Sequence, residues 1–490
     1  MIFIKHISTP IFLIFFNFLS YSQSETKTID QKLNYFLKLT DSLRVKSNTP
    51  GVGLALVYDG KIIYQGGLGF RDVEHKKPVT KNTLFPIGSN TKPITSLIAS
   101  KLIEKGLLDW DKPVKKYYPE FKVADEYVTQ NATIKDLFTH MTGVGRYDLL
   151  YYHNSSITRD EILEKLPYME SKYSFRQQHS YNNFMYLVAG IIEENVSKKS
   201  WDDLVYEEVF RPLKMNNSFT SFQQYFDYEE KSKGYKLDGK TEVDYQNIDV
   251  IAPAGSISST PHDMALWIQM LANKGKVENS NFISENQFDY LTGAHAPFNP
   301  SRSVSYSNGW LTAPYNEQRF IQKDGGIDGF VSKVTVITEK FGIAIMSNSW
   351  TNYVSIMTDY ALNIFVDDNY ERNYEWEESL EYKKPKKDKY KTKKEIPLLH
   401  DLNEYIGTYE DKIYGTISIS EKNKKLLFKF HDFESKMEHK GFNNFQVDLD
   451  LESKAQVFIF HVHANTTGEI DQIEFKIESG VSTSIFKKRK

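Results

Sequence analysis

The chain contains no cysteine. That single absence excludes disulfides, thiolate metal sites, a cysteine nucleophile and a lipid-modified N-terminal cysteine together. The chain also carries little net charge, -3 at pH 7 over 490 residues, which gives no reason to expect nucleic acid as a partner. After the first two dozen residues it lacks apolar runs long enough to cross a bilayer.

The N-terminus itself has the pattern of a secretory signal. Lys5 and His6 precede an apolar stretch from Ile11 to Leu19, and Ser20-Tyr21-Ser22 offers small residues flanking a cut. The stretch is shorter than the ~20 residues that span a membrane. We therefore expect a signal peptide over 1–22, a mature chain from near Gln23, a periplasmic or extracellular location and no stable membrane insertion once the signal is removed.

The length exceeds one usual core and points to two domains. Residues 29 to 47 place Leu33, Phe36, Leu37 and Leu43 among polar residues, as an amphipathic helix does. Two β-rich runs, Val52–Tyr58 and Lys61–Gln65, flank Asp59-Gly60 and predict a hairpin. Helical and loop stretches alternate from 134 to about 275, among them a short helix from Ile134 ending at Gly143. Strand-like runs return with Phe320–Gln322, Val331–Thr338 and Ile343–Met346, and residues 352 to 366 read as a helix. Strands from both ends with helices between them predict an α/β (α+β) domain over 23–367, one antiparallel sheet with flanking helices and a helical insertion. Residues 368–397 turn Glu-rich and then Lys-rich, the composition of a solvated linker. From 398 to 490 short alternating runs such as Leu426–Phe430 and Val457–Phe460 predict a small all-β barrel.

The chain is organised around Phe85-Pro86-Ile87-Gly88-Ser89-Asn90-Thr91-Lys92-Pro93-Ile94. Ser89 suits a helix N-terminus, Pro93 suits a first turn, and Ile94, Leu97, Ile98 and Leu102 recur at helical spacing before a stop at Gly106. A hydroxyl and an amine then share one face within one turn, pairing a nucleophile with a base. A free lysine, with a pKa near ~10.4, is protonated at neutral pH, so the pair requires a crowded, partly dry pocket. Taken alone, the pattern is also what a helix cap followed by a solvated lysine produces. Ser89 follows Ile87-Gly88, so the Gly-x-Ser-x-Gly elbow of α/β-hydrolases is missing.

Two more segments offer the remaining parts. Tyr181-Asn182-Asn183 precedes the apolar run Phe184–Ile192 and so sits where a loop enters a helix. A tyrosine there relays a proton and an asparagine amide holds an acyl carbonyl; a core tyrosine and a capping asparagine read equally well. Lys323-Asp324-Gly325 lies on a predicted strand, where the N–H of Gly326 faces the Ser89 helix, or forms a turn with a solvated lysine.

Together, Ser-x-x-Lys, Tyr-x-Asn and Lys-x-Gly in this order resemble the active-site motifs of the serine β-lactamase and penicillin-binding-protein superfamily. The likeness is to its class C β-lactamase-related hydrolases, and it extends to Leu137-Phe138-Thr139-His140-Met141-Thr142-Gly143, Pro212-Leu213-Lys214-Met215 and Gly325-Gly326-Ile327-Asp328-Gly329-Phe330. The resemblance implies the β-lactamase/transpeptidase-like fold, with the final domain similar to a lipocalin-like appendage. It implies that Ser89, Lys92 and Tyr181 are catalytic and form an acyl-enzyme, that Asn183 orients the acyl group, and that Lys323, Asp324, Gly325 and Gly326 line the substrate and oxyanion site.

The implied substrates are amides or esters, first among them D-amino-acid peptides, with a β-lactamase or carboxylesterase as the alternative. A penicillin-binding sensor with little turnover is the alternative of another class. Asp324 departs from the usual Thr, Ser or small residue, and if it faces the pocket it repels a substrate carboxylate. No cofactor or metal is expected: His461 and His463 share a strand face but lack a third ligand. A small molecule or peptide is the expected partner.

Overall fold

The computed structural model describes residues 27–381 and 397–489, apart from 279, 316, 452, 453, 479 and 480. The expected signal peptide and the Lys-rich centre of the expected linker lie outside the described residues. Helix α1 (Ile29–Lys46) is followed by the hairpin of β1 (Gly51–Tyr58) and β2 (Lys61–Asp72). Helices α2 (Thr91–Glu104), α3 (Asn183–Ser197) and α4 (Pro261–Ala272) lie in the intervening region. The unit closes with β3 (Gln318–Ile327), β4 (Phe330–Ile337), β5 (Phe341–Ser347) and helix α5 (Tyr353–Phe365).

The five long strands pair antiparallel in the order β3-β4-β5-β1-β2, within a nine-stranded sheet that short strands extend at both edges. Strand β1 is interior to the sheet, paired with β2 on one side and β5 on the other. Its side chains divide by the two-residue period of a strand. Leu54 and Leu56, with Ile343 and Ile345 of β5, meet Phe36, Leu43, Met357 and Phe365 of α1 and α5. Ala55 and Val57 face the opposite layer, where α2, α3 and α4 bury their apolar stripes. Sheet residues buried on both faces explain why these strands read as continuous hydrophobic runs.

Two boundaries differ from the sequence expectation. The helix beginning at Ile134 ends at Phe138, not Gly143, because His140 takes a left-handed φ of 58° that a helix does not continue. The start of the expected linker is folded: α6 (Tyr374–Ser379) docks on α5, with buried Glu377 accepting from Tyr360 Oη at 3.0 Å and from Arg372 Nε at 2.6 Å. Its glutamates suggested a solvated run, but one of them is neutralised by a nearby arginine.

The second unit consists of β6 (Gly407–Asp411), β7 (Gly415–Lys422), β8 (Lys425–Phe430), β9 (Phe433–Lys436), β10 (Glu438–Gly441), β11 (Asn444–Leu451), β12 (Lys454–Ala464), β13 (Ile470–Phe475) and β14 (Ser484–Lys488). Their order, β9-β8-β7-β6-β14-β13-β12-β11-β10, puts consecutive strands at the two ends, so the sheet curls into a nearly closed barrel. Phe428, Phe460 and Phe475 pack ring against ring inside it, with centroids 5.4 to 6.1 Å apart. The barrel is not tethered loosely: one buried apolar cluster runs through both units, and the Asp432 backbone N–H donates to the His153 carbonyl at 2.9 Å.

Candidate active site

The segment Gly88–Asn90 forms a single 3-10 turn that runs directly into α2. Ser89 therefore does not cap the helix with its hydroxyl, as its position had suggested; that oxygen is turned into the cleft. Tyr181 Oη donates to Ser89 Oγ at 2.7 Å, and Lys92 Nζ stands 3.3 Å from the same oxygen. The sequence-predicted nucleophile, base and phenol thus converge on one atom.

Lys92 is fully buried, and its other contacts are as informative as its serine. Nζ donates to Asn183 Oδ1 and to the Ala254 carbonyl, both at 2.7 Å. With two N–H bonds committed to acceptors that cannot donate back, the remaining position on Nζ faces Ser89, and it is the lone pair when the amine is neutral. Burial pushes the Lys92 pKa well below that of a free lysine; the charge of Lys323 adds to this, and Asp148 opposes it. The pocket that the Ser-Lys pair requires is present.

Tyr181 works from the other side. Burial raises its pKa to about 12, against the hydrogen bond to Ser89, so it stays a proton donor at neutral pH. Three basic side chains surround its ring: Lys92, Lys323 and Arg146 lie 4.8, 4.9 and 5.2 Å from the centroid. The buried His140 ring packs 4.4 Å from it and takes the Asn182 N–H on Nδ1 at 3.2 Å, fixing the loop that enters α3. Lys323 Nζ donates to Tyr306 Oη at 3.2 Å, and burial lowers its pKa to about 7, with Asp324 pulling the other way.

Strand β3 is pressed onto the Ser89 turn backbone to backbone. A side-chain carbon on Gly325 would sit 2.0 Å from the Ile87 carbonyl oxygen, and one on Gly88 would sit 2.8 Å from the Gly326 nitrogen. Only glycine allows this approach, which brings the Gly326 N–H beside the backbone of the Ser89 turn. Asp324, adjacent to Lys323 in an extended strand, turns to the opposite face and pairs with Lys333 Nζ at 2.9 Å. It still lines the cleft that contains Ser89, with its charge compensated.

Asn183 is placed beside Lys92, but its amide is fully engaged. Nδ2 donates to Tyr151 Oη at 2.9 Å and to Asp148 Oδ1 at 3.1 Å. Asp148 also pairs with Arg146, and the Asp148 charge raises the guanidinium's pKa further. Sequence reasoning missed Arg146, Asp148 and Tyr151. An Arg-x-Asp pair after a glycine turn is indistinguishable from a surface ion pair until Asn183, far along the chain, is brought to it. His461 and His463 are occupied by Asn444 and Glu474, and no group of three metal-ligating side chains occurs among the described residues.

A family model described as Beta-lactamase matches residues 29–364, and one described as a domain of unknown function (DUF3471) matches residues 391–488. The unguisins hydrolase ungD' of Aspergillus campestris is 28% identical over 357 residues, covering 68% of this chain and 66% of that protein. Protein flp of Staphylococcus aureus is 26% identical over 326 residues, 64% of this chain and 63% of its own length. The match thus spans just under two thirds of these relatives. The fold of the octameric penicillin-binding protein homologue from Pyrococcus abyssi superposes with a TM-score of 0.62 at 18% identity, over 93% of this chain and 99% of that one. The D-alanine carboxypeptidase AmpC from Burkholderia cenocepacia gives 0.57 at 20% identity, over 68% and 99%.

Proposed function

We propose, since this chain belongs to the beta-lactamase family of serine hydrolases, that it is an acyl-transfer enzyme that cleaves amide or ester bonds through an acyl-enzyme on Ser89. The observation that carries this reading is the Ser89 oxygen held between Tyr181 Oη and Lys92 Nζ. Lys92, neutral through burial, takes the serine proton as the oxygen attacks a carbonyl. The N–H groups of Ser89 and Gly326 stabilise the oxyanion. Tyr181 protonates the leaving group, regains a proton through Lys92, and the same groups later activate water.

The substrate reading follows from charge. Lys323 and Arg146 flank the phenol on the leaving-group side, and Asp324 is turned to Lys333. A leaving group that carries a carboxylate is favoured there, which supports peptides with a free C-terminal carboxylate, D-amino-acid peptides first among them by family resemblance, over neutral esters. Export to the periplasm or beyond is part of the proposal and rests on the N-terminal sequence.

Intact-mass spectrometry during reaction with a D-Ala-D-Ala peptide, a p-nitrophenyl ester and a cephalosporin tests the chemistry. The expected result is a transient acyl adduct on the peptide that bears Ser89, with product release. An adduct that persists without release would favour the sensor reading; none on Ser89 with any substrate would end the proposal.

A pH profile tests the substrate class. Lys323 is charged below about 7 and neutral above it. A carboxylate-bearing substrate is therefore expected to lose kcat/KM as pH rises through about 7, whereas a neutral ester does not. The acid limb, where Lys92 gains a proton, is expected for both. Equal alkaline behaviour of the two substrates would remove Lys323 from carboxylate recognition.

A further inference from the structure

Two spaces meet at Ser89. One is the open cleft of about 830 Å³ that contains Tyr181 and Lys323. The other is a pocket of about 280 Å³ on the Asn183 side. Ser89, Arg146 and Gly326 line both, but Tyr181 lines only the first and Asn183 only the second.

The smaller pocket is built by both units of the chain. Leu149, Ile251 and Ile327 of the hydrolase unit face Gln456, Phe458 and Ile477 of the barrel. Its charged groups are engaged with the protein. Glu478 accepts from the backbone N–H groups of Asp148 and Leu149 and from Tyr414 Oη, each at 2.9 Å, and Asp148 pairs with Arg146. The lining is mixed, and its apolar part comes from Leu149, Ile251 and Ile327 on one side and from Phe458 and Ile477 of the barrel on the other.

We propose that this pocket receives the acyl half of the substrate and that the barrel, through Phe458 and Gln456, sets the size of the apolar acyl group accepted. The inference rests on the reading of Ser89 as the acylated nucleophile and Tyr181 as donor to the leaving group. In that reaction the Ser89 Oγ–C bond forms and the bond from the carbonyl carbon to the leaving N or O breaks. The serine proton passes to Lys92, the phenol proton passes to the leaving atom, and Lys92 restores the phenol. The leaving group must lie on the Tyr181 side, in the large cleft, so the acyl portion falls to the other. A dry cavity of about 150 Å³ holds one benzene; about 280 Å³ admits a branched aliphatic group or one ring. A longer acyl chain has to pass Phe458 and Gln456 of the barrel.

The test is a series of p-nitrophenyl esters, acetate, butyrate, hexanoate, phenylacetate and decanoate, hydrolysed by the full chain, by Phe458→Ala and by Gln456→Trp. The wild type is expected to peak at hexanoate or phenylacetate and to fall by about tenfold or more at decanoate, the scale on which apolar pockets discriminate. Phe458→Ala is expected to raise the decanoate-to-butyrate ratio of kcat/KM about tenfold, and Gln456→Trp to lower the hexanoate-to-acetate ratio by a similar factor. Gln456 is exposed on β12, outside the barrel core, so that variant carries the test if the phenylalanine variant does not fold. One length profile shared by all three proteins, with Ser89 still acylated, overturns this proposal alone. Failure of every ester to acylate Ser89 overturns it together with the reading beneath it.

Discussion

Ser89→Ala is expected to lower turnover of every substrate by on the order of 10⁴-fold or more and to abolish the acyl adduct, with the fold intact by circular dichroism. The alanine removes one oxygen from a half-buried turn and leaves the α2 backbone undisturbed, so stability is expected to move by only about 1 kcal/mol. Lys92→Met, which retains the length of the side chain but not its base, is expected to cost about 10²- to 10⁴-fold. Because both residues serve one step, the double variant should be no slower than Ser89→Ala alone. Additive losses in kcat/KM would mean that Lys92 acts elsewhere than on the Ser89 proton.

The second large effect is expected at a residue that has no side chain to react. Gly325→Ala would insert a carbon 2.0 Å from the Ile87 carbonyl oxygen and 2.6 Å from Ser332 Oγ. Those two atoms are hydrogen-bonded to each other at 2.7 Å, and Ser332 Oγ also accepts from Asn90 Nδ2 at 2.7 Å. The strand must therefore retreat and release the clasp that ties β4 to the nucleophile's turn. Displacing Gly326 from Ser89 by about 1 Å is expected to cost on the order of 10² in kcat, and the overpacking about 1–3 kcal/mol of stability. Rates and denaturant midpoints measured on one preparation check both; a variant as active and stable as the wild type would show that β3 does not need this close approach.

Much of this was legible in the chain. The spacing of Ser89 and Lys92 and the apolar residues after them specify a helix start, and the Asp59-Gly60 hairpin is local. What single segments do not carry is the environment that makes them reactive. The lone-pair direction of Lys92 depends on Asn183 and Ala254, and the pairing of Asp324 with Lys333 depends on the register of β3 with β4. The alternation rule would have separated Lys323 from Asp324 once the strand was granted; only the pleat's absolute direction was missing. Glu478 was invisible for a different reason, since a glutamate near the end of a β-rich domain gives no sign that it will receive the backbone N–H groups of Asp148 and Leu149.

The distance along the chain between the reacting groups has a consequence for biosynthesis. Ser89 and Lys92 leave the ribosome long before Asn183, Ala254, Lys323 and the β5 strand that pairs with β1. At about 5–20 residues per second the interval is on the order of tens of seconds. Throughout it the emerging lysine is hydrated and protonated like any other, and the buried setting that lowers its pKa exists only once the later segments have been made.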